Sequence, residues 1–303
     1  MSKNVNTEKN KKTEHKSLRF IFITPFADIP FFETVKKGMN DAAELMGVSC
    51  KFTGPSGMDT PLQVEMTRQA IKDGYDGIVL NIFEAAKLAK VISEAKDSGI
   101  PVVAFNVDDQ SDPTERMCSV CQNLFKAGQV LGRNAIAFIP DGSKIFIVMH
   151  DRGVSALEQR FEGIIDVLKG KNVTWEVLIG GDSENAAKVI TEQLKANPAV
   201  KVVLGTGQSD TEGIGFAIER NFKGQGYTAA GFDLSAKTLR MIKDGAIRFA
   251  IDQQPYVQGY YPVVQLAHYC RYGIVPSNID AGHNVIDQAK AASVIELSKK
   301  NYR

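Results

Sequence analysis

"LRFIFITPFADIPFFETVKKGMNDAAELMG", residues 18–47, runs from an apolar stretch through a turn into an amphipathic segment. "RFIFIT" has the length and the aromatic and β-branched content of a strand buried on both faces. Pro30 suits the first turn of a helix, because its missing N–H would have no partner there. The same order returns at "KIFIVM" (144–149) and "SALEQRFEGIIDVLKG" (155–170), with Lys144 in the place of Arg19, a shift of 125. Each half then continues with strand, helix and strand: "VSCKFTG", "TPLQVEMTRQAIKDG" and "GIVLNI" in the first, "TWEVLIGG", "ENAAKVITEQLKANP" and "KVVLGTG" in the second. Strands that are apolar along their length and alternate with helices imply parallel sheets covered on both faces. The expected fold class is therefore α/β, with two doubly wound lobes, and 303 residues suffice for both.

The totals exclude more than they assign. Thirty-six basic against 35 acidic residues leave a net charge of +1, so no broad basic surface for nucleic acid is expected. "MSKNVNTEKNKKTEHKS" (1–17) is too polar to offset its ordering entropy and reads as a disordered tail. It has neither the apolar core nor the cleavage site of an export signal, and no later run is long enough to cross a membrane. "CSVC" (118–121) has CxxC spacing, but in a strand its two thiols point to opposite faces, and no second pair completes a zinc set. Cys270 reads as a small buried residue and Trp175, alternating with Val173 and Val177, as core.

In open parallel sheets ligands bind at the carboxyl ends of the strands. Those ends carry "PFADIPFF", Asn81, Asn106, "HDRGVSALEQR", "GTGQSD", Asp233 and "DQQPY". They offer amides, carboxylates, an arginine and aromatic rings. They offer no evident nucleophile with its base, no Walker lysine and no dinucleotide glycine fingerprint after the first strand. No catalytic, metal or cofactor site is expected. The inventory suits a neutral polyhydroxylated ligand, whose hydroxyls donate and accept, and whose C–H faces pack on aromatic rings. Phe31 and Phe32, adjacent in the first turn of a helix, cannot both face one core.

Together "PFF" before the first helix, "GYDGIVLN", "SGIPVVAFN", "ALEQRFEG", "GFD" and "AIDQQPYVQGYYP" resemble the ribose-binding branch of the bacterial periplasmic sugar-binding proteins, the receptors of ABC importers. The resemblance runs from about Leu18 to the C-terminus. It implies two lobes joined by three crossovers that close like a hinge over one sugar. The expected lobes are 18–121 plus 254–284 and 122–253 plus 285–303. The family's contacts fall on Phe31, Phe32, Asn81, Arg160, Asp233 and Gln253, with Gln208 or Ser209 before the next helix and Asn106 at the end of "VVAF". Within the pair, the family pattern makes Phe32 the stacking ring and Phe31 the structural one.

Two positions depart from the family. Many relatives have Asp-Arg where this chain has Asn106-Val107, which removes a charge-assisted clamp. No second-lobe aromatic stands near Gly181, so a one-sided stack, suited to a pentose or an acyclic polyol, is expected. The implied partners are a neutral sugar or polyol, a membrane permease and a chemoreceptor or sensor, for a monomer that is periplasmic or lipid-anchored at the cell surface. The rival reading is the effector domain of a sugar-responsive repressor, which needs a helix-turn-helix that the first 17 residues do not hold.

Overall fold

A computed structural model describes residues 17–303, so the tail expected over 1–17 lies, apart from Ser17, outside the described residues. The chain begins with β1 (Arg19–Ile23), α1 (Phe31–Met46), β2 (Ser49–Thr53), α2 (Thr60–Lys72), β3 (Gly77–Ile82), α3 (Ala85–Asp97), β4 (Val102–Asp108) and β5 (Cys118–Cys121). It continues with α4 (Leu124–Ala135), β6 (Lys144–Met149), α5 (Ser155–Leu168), β7 (Thr174–Ile179), α6 (Ser183–Ala196) and β8 (Val202–Gly205). Then come α7 (Gln208–Ala217), β9 (Thr228–Phe232), α8 (Ala236–Asp244), β10 (Phe249–Asp252), α9 (Pro255–Tyr272), β11 (Ile279–Asp280), β12 (Asn284–Asp287) and α10 (Gln288–Ser298).

The strands form two sheets, ordered β11-β5-β4-β3-β1-β2 and β12-β10-β9-β8-β6-β7. Every pairing is parallel except β10 with β12. The 125-residue repeat of the sequence is thus a repeat of sheet order, with β1 to β5 matched by β6 to β10. Period-two alternation splits each strand between two cores. Phe20 and Phe22 of β1 face a cluster with Val35 and Met39 of α1 and Leu266 of α9. Ile21 and Ile23 face the opposite cluster, with Ala70 of α2 and Leu88 and Ile92 of α3. In the second lobe Ile145 and Ile147 pack with α4 and α5, and Phe146 and Val148 with α6 and α7.

In each lobe one helix pair is locked by glycines. A Cβ on Gly38 of α1 would stand 2.1 Å from the carbonyl oxygen of Tyr256, and one on Gly259 of α9 would stand 1.9 Å from that of Val35. A Cβ on Gly128 of α4 or Gly163 of α5 would stand as close to the carbonyl oxygens of Arg160 and Phe125, at 2.1 and 2.0 Å. Only glycine allows backbones to approach in this way.

The chain passes between the sheets three times: from β5 to α4 at Gln122–Asn123, from β10 to α9 at Gln253–Gln254, and from β11 to β12 at 281–283. The crossings are tied to one another. Gln122 Nε2 donates to Gly282 O at 2.9 Å and Gln254 Nε2 to Ala281 O at 2.6 Å. "CSVC" is the β5 strand; both its cysteines are free and buried, and burial pushes the Cys118 thiol up to about 11, far from a reactive thiolate. Trp175 packs against the α4–α5 core. Cys270 corrects its expectation: it is exposed near the end of α9 and donates to Asp76 O at 3.5 Å.

Candidate functional site

A cavity of about 490 Å³ opens between the lobes at the carboxyl ends of both sheets. Phe31, Phe32, Asn106, Arg160, Gln208, Ser209, Asp233 and Gln253 all line it. Asn81 does not. It is fully buried one layer behind, at the point where the β3–β4 register shifts between Leu80 and Ile82. From there its Nδ2 donates to Thr24 Oγ1 at 3.2 Å and to Asn106 Oδ1 at 3.1 Å, and its Oδ1 accepts from Val107 N at 3.3 Å. Asn81 therefore stands behind Asn106 and holds its side-chain oxygen. It is also no helix cap, since Glu84 occupies the position before α3.

The burial of the two phenylalanines runs opposite to the roles expected of them. Phe32 is 0% exposed, within 5.3–6.2 Å (ring centroids) of Phe26, Phe31, Phe52 and Phe105. Phe31 keeps accessible surface and sits edge-on to Phe32. The Phe31 side chain is thus the one of the pair that presents area to the cavity. Phe26 and Phe83 extend this wall, and their rings touch at 5.3 Å. All the phenylalanine rings lining the cavity come from the first lobe, whose share of the wall carries no charged side chain.

The second lobe supplies the charges. Arg160, on α5, is 4% exposed. Its Nη2 and Nε donate to Gln122 Oε1 at 2.8 and 3.2 Å, and its Nη1 donates to Thr206 O at 3.0 Å. Nη1 also stands 3.7 Å from Asp233 Oδ2, and the guanidinium lies over the Phe232 ring at 4.2 Å. Burial lowers the Arg160 pKa while Asp233 and Asp210 hold it up, and a guanidinium stays charged through such a shift. Arg160 does not pair with the nearby Glu158 or Glu162. Asp233 is not a cap either, because Ser235 caps α8. Its Oδ1 accepts from Gln253 Nε2 at 2.6 Å.

Gln253 stands at the second crossing and ties the walls together. Its Oε1 accepts from Asn106 Nδ2 at 3.4 Å and from Gln258 Nε2 at 3.2 Å, and Asn106 Nδ2 also reaches Gln258 Oε1 at 3.1 Å. Amides and charges therefore run without a break from Thr24 through Asn81, Asn106, Gln253 and Asp233 to Arg160 and Gln122. Asn106, Asp233 and Gln254 all hold left-handed backbone, at φ 63°, 71° and 52°. Such angles are uncommon outside glycine, least so for Asn and Asp, and they cluster where function over-determines the chain.

Sequence reasoning missed Gln122, Gln258, His150, Asp151 and Asp210. The first two lie at a crossing and on a helix, 38 and 152 residues from the partners they serve, Arg160 and Asn106. His150 and Asp151 stood within the quoted strand-end stretch without being singled out. Among the described residues no helix is long and apolar enough to cross a membrane, and no cluster of His, Cys, Asp and Glu could hold a metal ion.

Residues 20–273 match the model of the periplasmic binding protein domain. The xylose/arabinose-binding protein of Sulfolobus acidocaldarius is 29% identical over 301 residues, covering 94% of this chain and 75% of that protein. A carbohydrate transporter from Acidothermus cellulolyticus, solved in complex with myo-inositol, is 27% identical with a TM-score of 0.80, covering 95% of this chain and 100% of that one. A periplasmic ribose ABC transporter structure from Conexibacter woesei shares the fold with a TM-score of 0.84 at 20% identity, over 94% of this chain and 97% of that one. With a family match that spans most of its length and the same two-lobed architecture, the chain belongs to the periplasmic binding protein family.

Proposed function

We propose that this protein is the solute-binding receptor of an ABC importer, and that it captures a neutral pentose, hexose or polyol by closing its two lobes, 18–121 plus 254–284 and 122–253 plus 285–303. The observation that carries this reading is the pairing of opposite walls: an uncharged aromatic one, and one whose buried cation is already matched. Arg160 has Asp233 3.7 Å away, so the cleft needs no anion to balance it. Its free hydrogen-bonding capacity suits hydroxyls, which can accept from the guanidinium and the amides and donate to the carboxylate. Phe31 would take an apolar C–H face of the ligand. The ligand contacts are Phe31, Asn106, Arg160, Gln208, Ser209, Asp233 and Gln253, with Phe32 and Asn81 holding Phe31 and Asn106 from behind. The relatives' named ligands, xylose, arabinose and myo-inositol, support this class.

The reading includes a monomer that works outside the cytoplasmic membrane, presents its closed form to a permease and to a chemoreceptor or sensor, and returns the sugar unchanged. A thermal-shift screen over pentoses, hexoses, deoxysugars and polyols tests it. Binding only the folded state adds about 2.7 kcal/mol at a hundredfold excess over Kd, so a true ligand raises Tm by several degrees. A panel without any shift, or a sugar recovered chemically altered, would sink the proposal.

A further inference from the structure

His150 follows β6 directly and lines the cavity on the second-lobe side. Its ring is seated against Gly207, where an added Cβ would stand 3.0 Å from His150 Cε1 and 3.2 Å from Nδ1. Nδ1 is sealed from solvent and points at Asp210 Oδ1, 3.5 Å away. Asp210, in the first turn of α7, is 0% exposed, and its other oxygen accepts from Thr206 Oγ1 at 3.1 Å. Oδ1 has no hydrogen-bond partner, so the imidazole beside it and the charge of the buried Arg160 are what compensate this carboxylate. Nδ1 is the ring nitrogen found buried without a hydrogen bond; Nε2 is not among such atoms, and the ring keeps about a third of its surface open.

We propose that His150 is a further ligand-binding residue, whose Nε2 donates to a sugar hydroxyl while Nδ1 stays on Asp210, so that retention of the sugar depends on pH. This rests on the sugar-receptor reading. As an imidazolium the ring donates from both nitrogens. Nδ1–H faces Asp210 and Nε2–H faces the cavity, where a charged donor makes the stronger bond to a hydroxyl. When one proton leaves, the other stays on Nδ1, because the Asp210 carboxylate can only accept. Nε2 then changes from a charged donor to a neutral acceptor, and the hydroxyl must turn round.

The surrounding charges favour the protonated form. Burial, the largest single influence, lowers the His150 pKa, but Asp210 in contact and then Asp233 and Asp151 outweigh it, and the net shift is upward from the ordinary value. Arg160 is the one cation lining the cavity, and it stands beside Asp233. The facing wall of the first lobe adds no charge. A ligand that prefers the imidazolium must raise this pKa further.

The test is calorimetric titration of the best sugar from the screen at about pH 5.5, 7 and 8.5, a span that brackets histidine. The parent is compared with His150→Gln, which keeps one donor and one acceptor but does not titrate. NMR of the His150 Cε1–H, assigned by its loss in that variant, follows the ring itself. The expected result is about three- to tenfold weaker binding by the parent at the highest pH, the difference between a charged and a neutral hydrogen bond, with a flat profile for the variant. The ring pKa should rise when sugar is added. A parent with a flat profile, or a variant with the parent's slope, overturns the role of His150 and leaves the receptor reading standing. A parent that binds no sugar at any pH overturns the receptor reading and this inference with it.

Discussion

The two lobes put different chemistry on matching positions of one scaffold. Gly38 in α1 and Gly163 in α5 are 125 residues apart, the same shift that relates Arg19 to Lys144, and each locks its helix against a partner helix. One turn earlier stand Val35 and Arg160, again 125 apart, and each has its carbonyl against a glycine of the partner helix. Val35 is fully buried in an aromatic cluster, whereas Arg160 reaches the cavity. Asn106, two residues before the end of β4, and Asp233, directly after the matched β9, have the same left-handed backbone, yet one side chain is an amide and the other a charge. The backbone device is common to both lobes, and the side chains differ. The result is one lobe that offers surface and one that offers directed polar groups.

That contrast can be broken most severely at Arg160. Arg160→Ala leaves Asp233 and Gln122 without their partner, and we expect a loss of about 3–5 kcal/mol in unfolding free energy together with loss of sugar binding. Its counterpart Val35→Ala should cost about 2 kcal/mol of stability through lost burial and leave affinity nearly unchanged. Denaturant unfolding and calorimetry on both variants decide; equal effects on binding would erase the division between the lobes.

Within the first lobe, Phe32→Ala should cost about 3–5 kcal/mol of stability, as for a fully buried ring. Phe31→Ala should cost about 1–3 kcal/mol of affinity and less stability, because its ring is the accessible one. Gly128→Ala forces α4 away from the Arg160 carbonyl, at about 1–3 kcal/mol in stability. It should weaken sugar binding, whereas Gly259→Ala, at the matching place in the first lobe, should destabilise without that loss. The smallest effect concerns salt. A neutral ligand offers no Coulomb attraction to screen, so affinity at high ionic strength should stay within about threefold of that at low. A tenfold loss would indicate an anion at Arg160.

The fold was legible in the sequence because apolar strands and helical periodicity state themselves locally, and because "RFIFIT" and "KIFIVM" repeat one pattern, a basic residue followed by four large apolar ones, without sharing a residue at any position. Much of the cavity lining was legible for a topological reason: once the strands are assigned, their carboxyl ends are fixed, and Asn106, Asp233 and Gln253 follow, whereas Arg160, on α5, rested on the family resemblance. The choice between Phe31 and Phe32 was hidden because both sit in the first turn of α1, with apolar neighbours at helical spacing. Asn81 lies one layer behind the cavity, where the β3–β4 register shifts, and no local pattern announces that shift. His150 with Asp210, and Arg160 with Gln122, are pairs made by the meeting of distant elements, and no local pattern announces them. Cys270 was misjudged because it lies in the last turn of α9, where neighbouring Tyr269 and Arg271 are only half-buried and Tyr272 is exposed.

The left-handed residues bear on how this receptor can be redesigned. Asn106 and Asp233 look like the natural places to diversify for a new ligand, since both face the cavity. Yet their backbone angles tolerate Gly, Asn and Asp, and an ordinary side chain pays roughly 1–2 kcal/mol there before any contact is counted. A saturation library at these two sites would therefore be filled mostly with weakened folds, and a loss of binding would be misread as a loss of recognition. Ile29, Met58 and Val154 line the same cavity with φ in the ordinary range. At those positions substitutions report on the ligand rather than on the backbone.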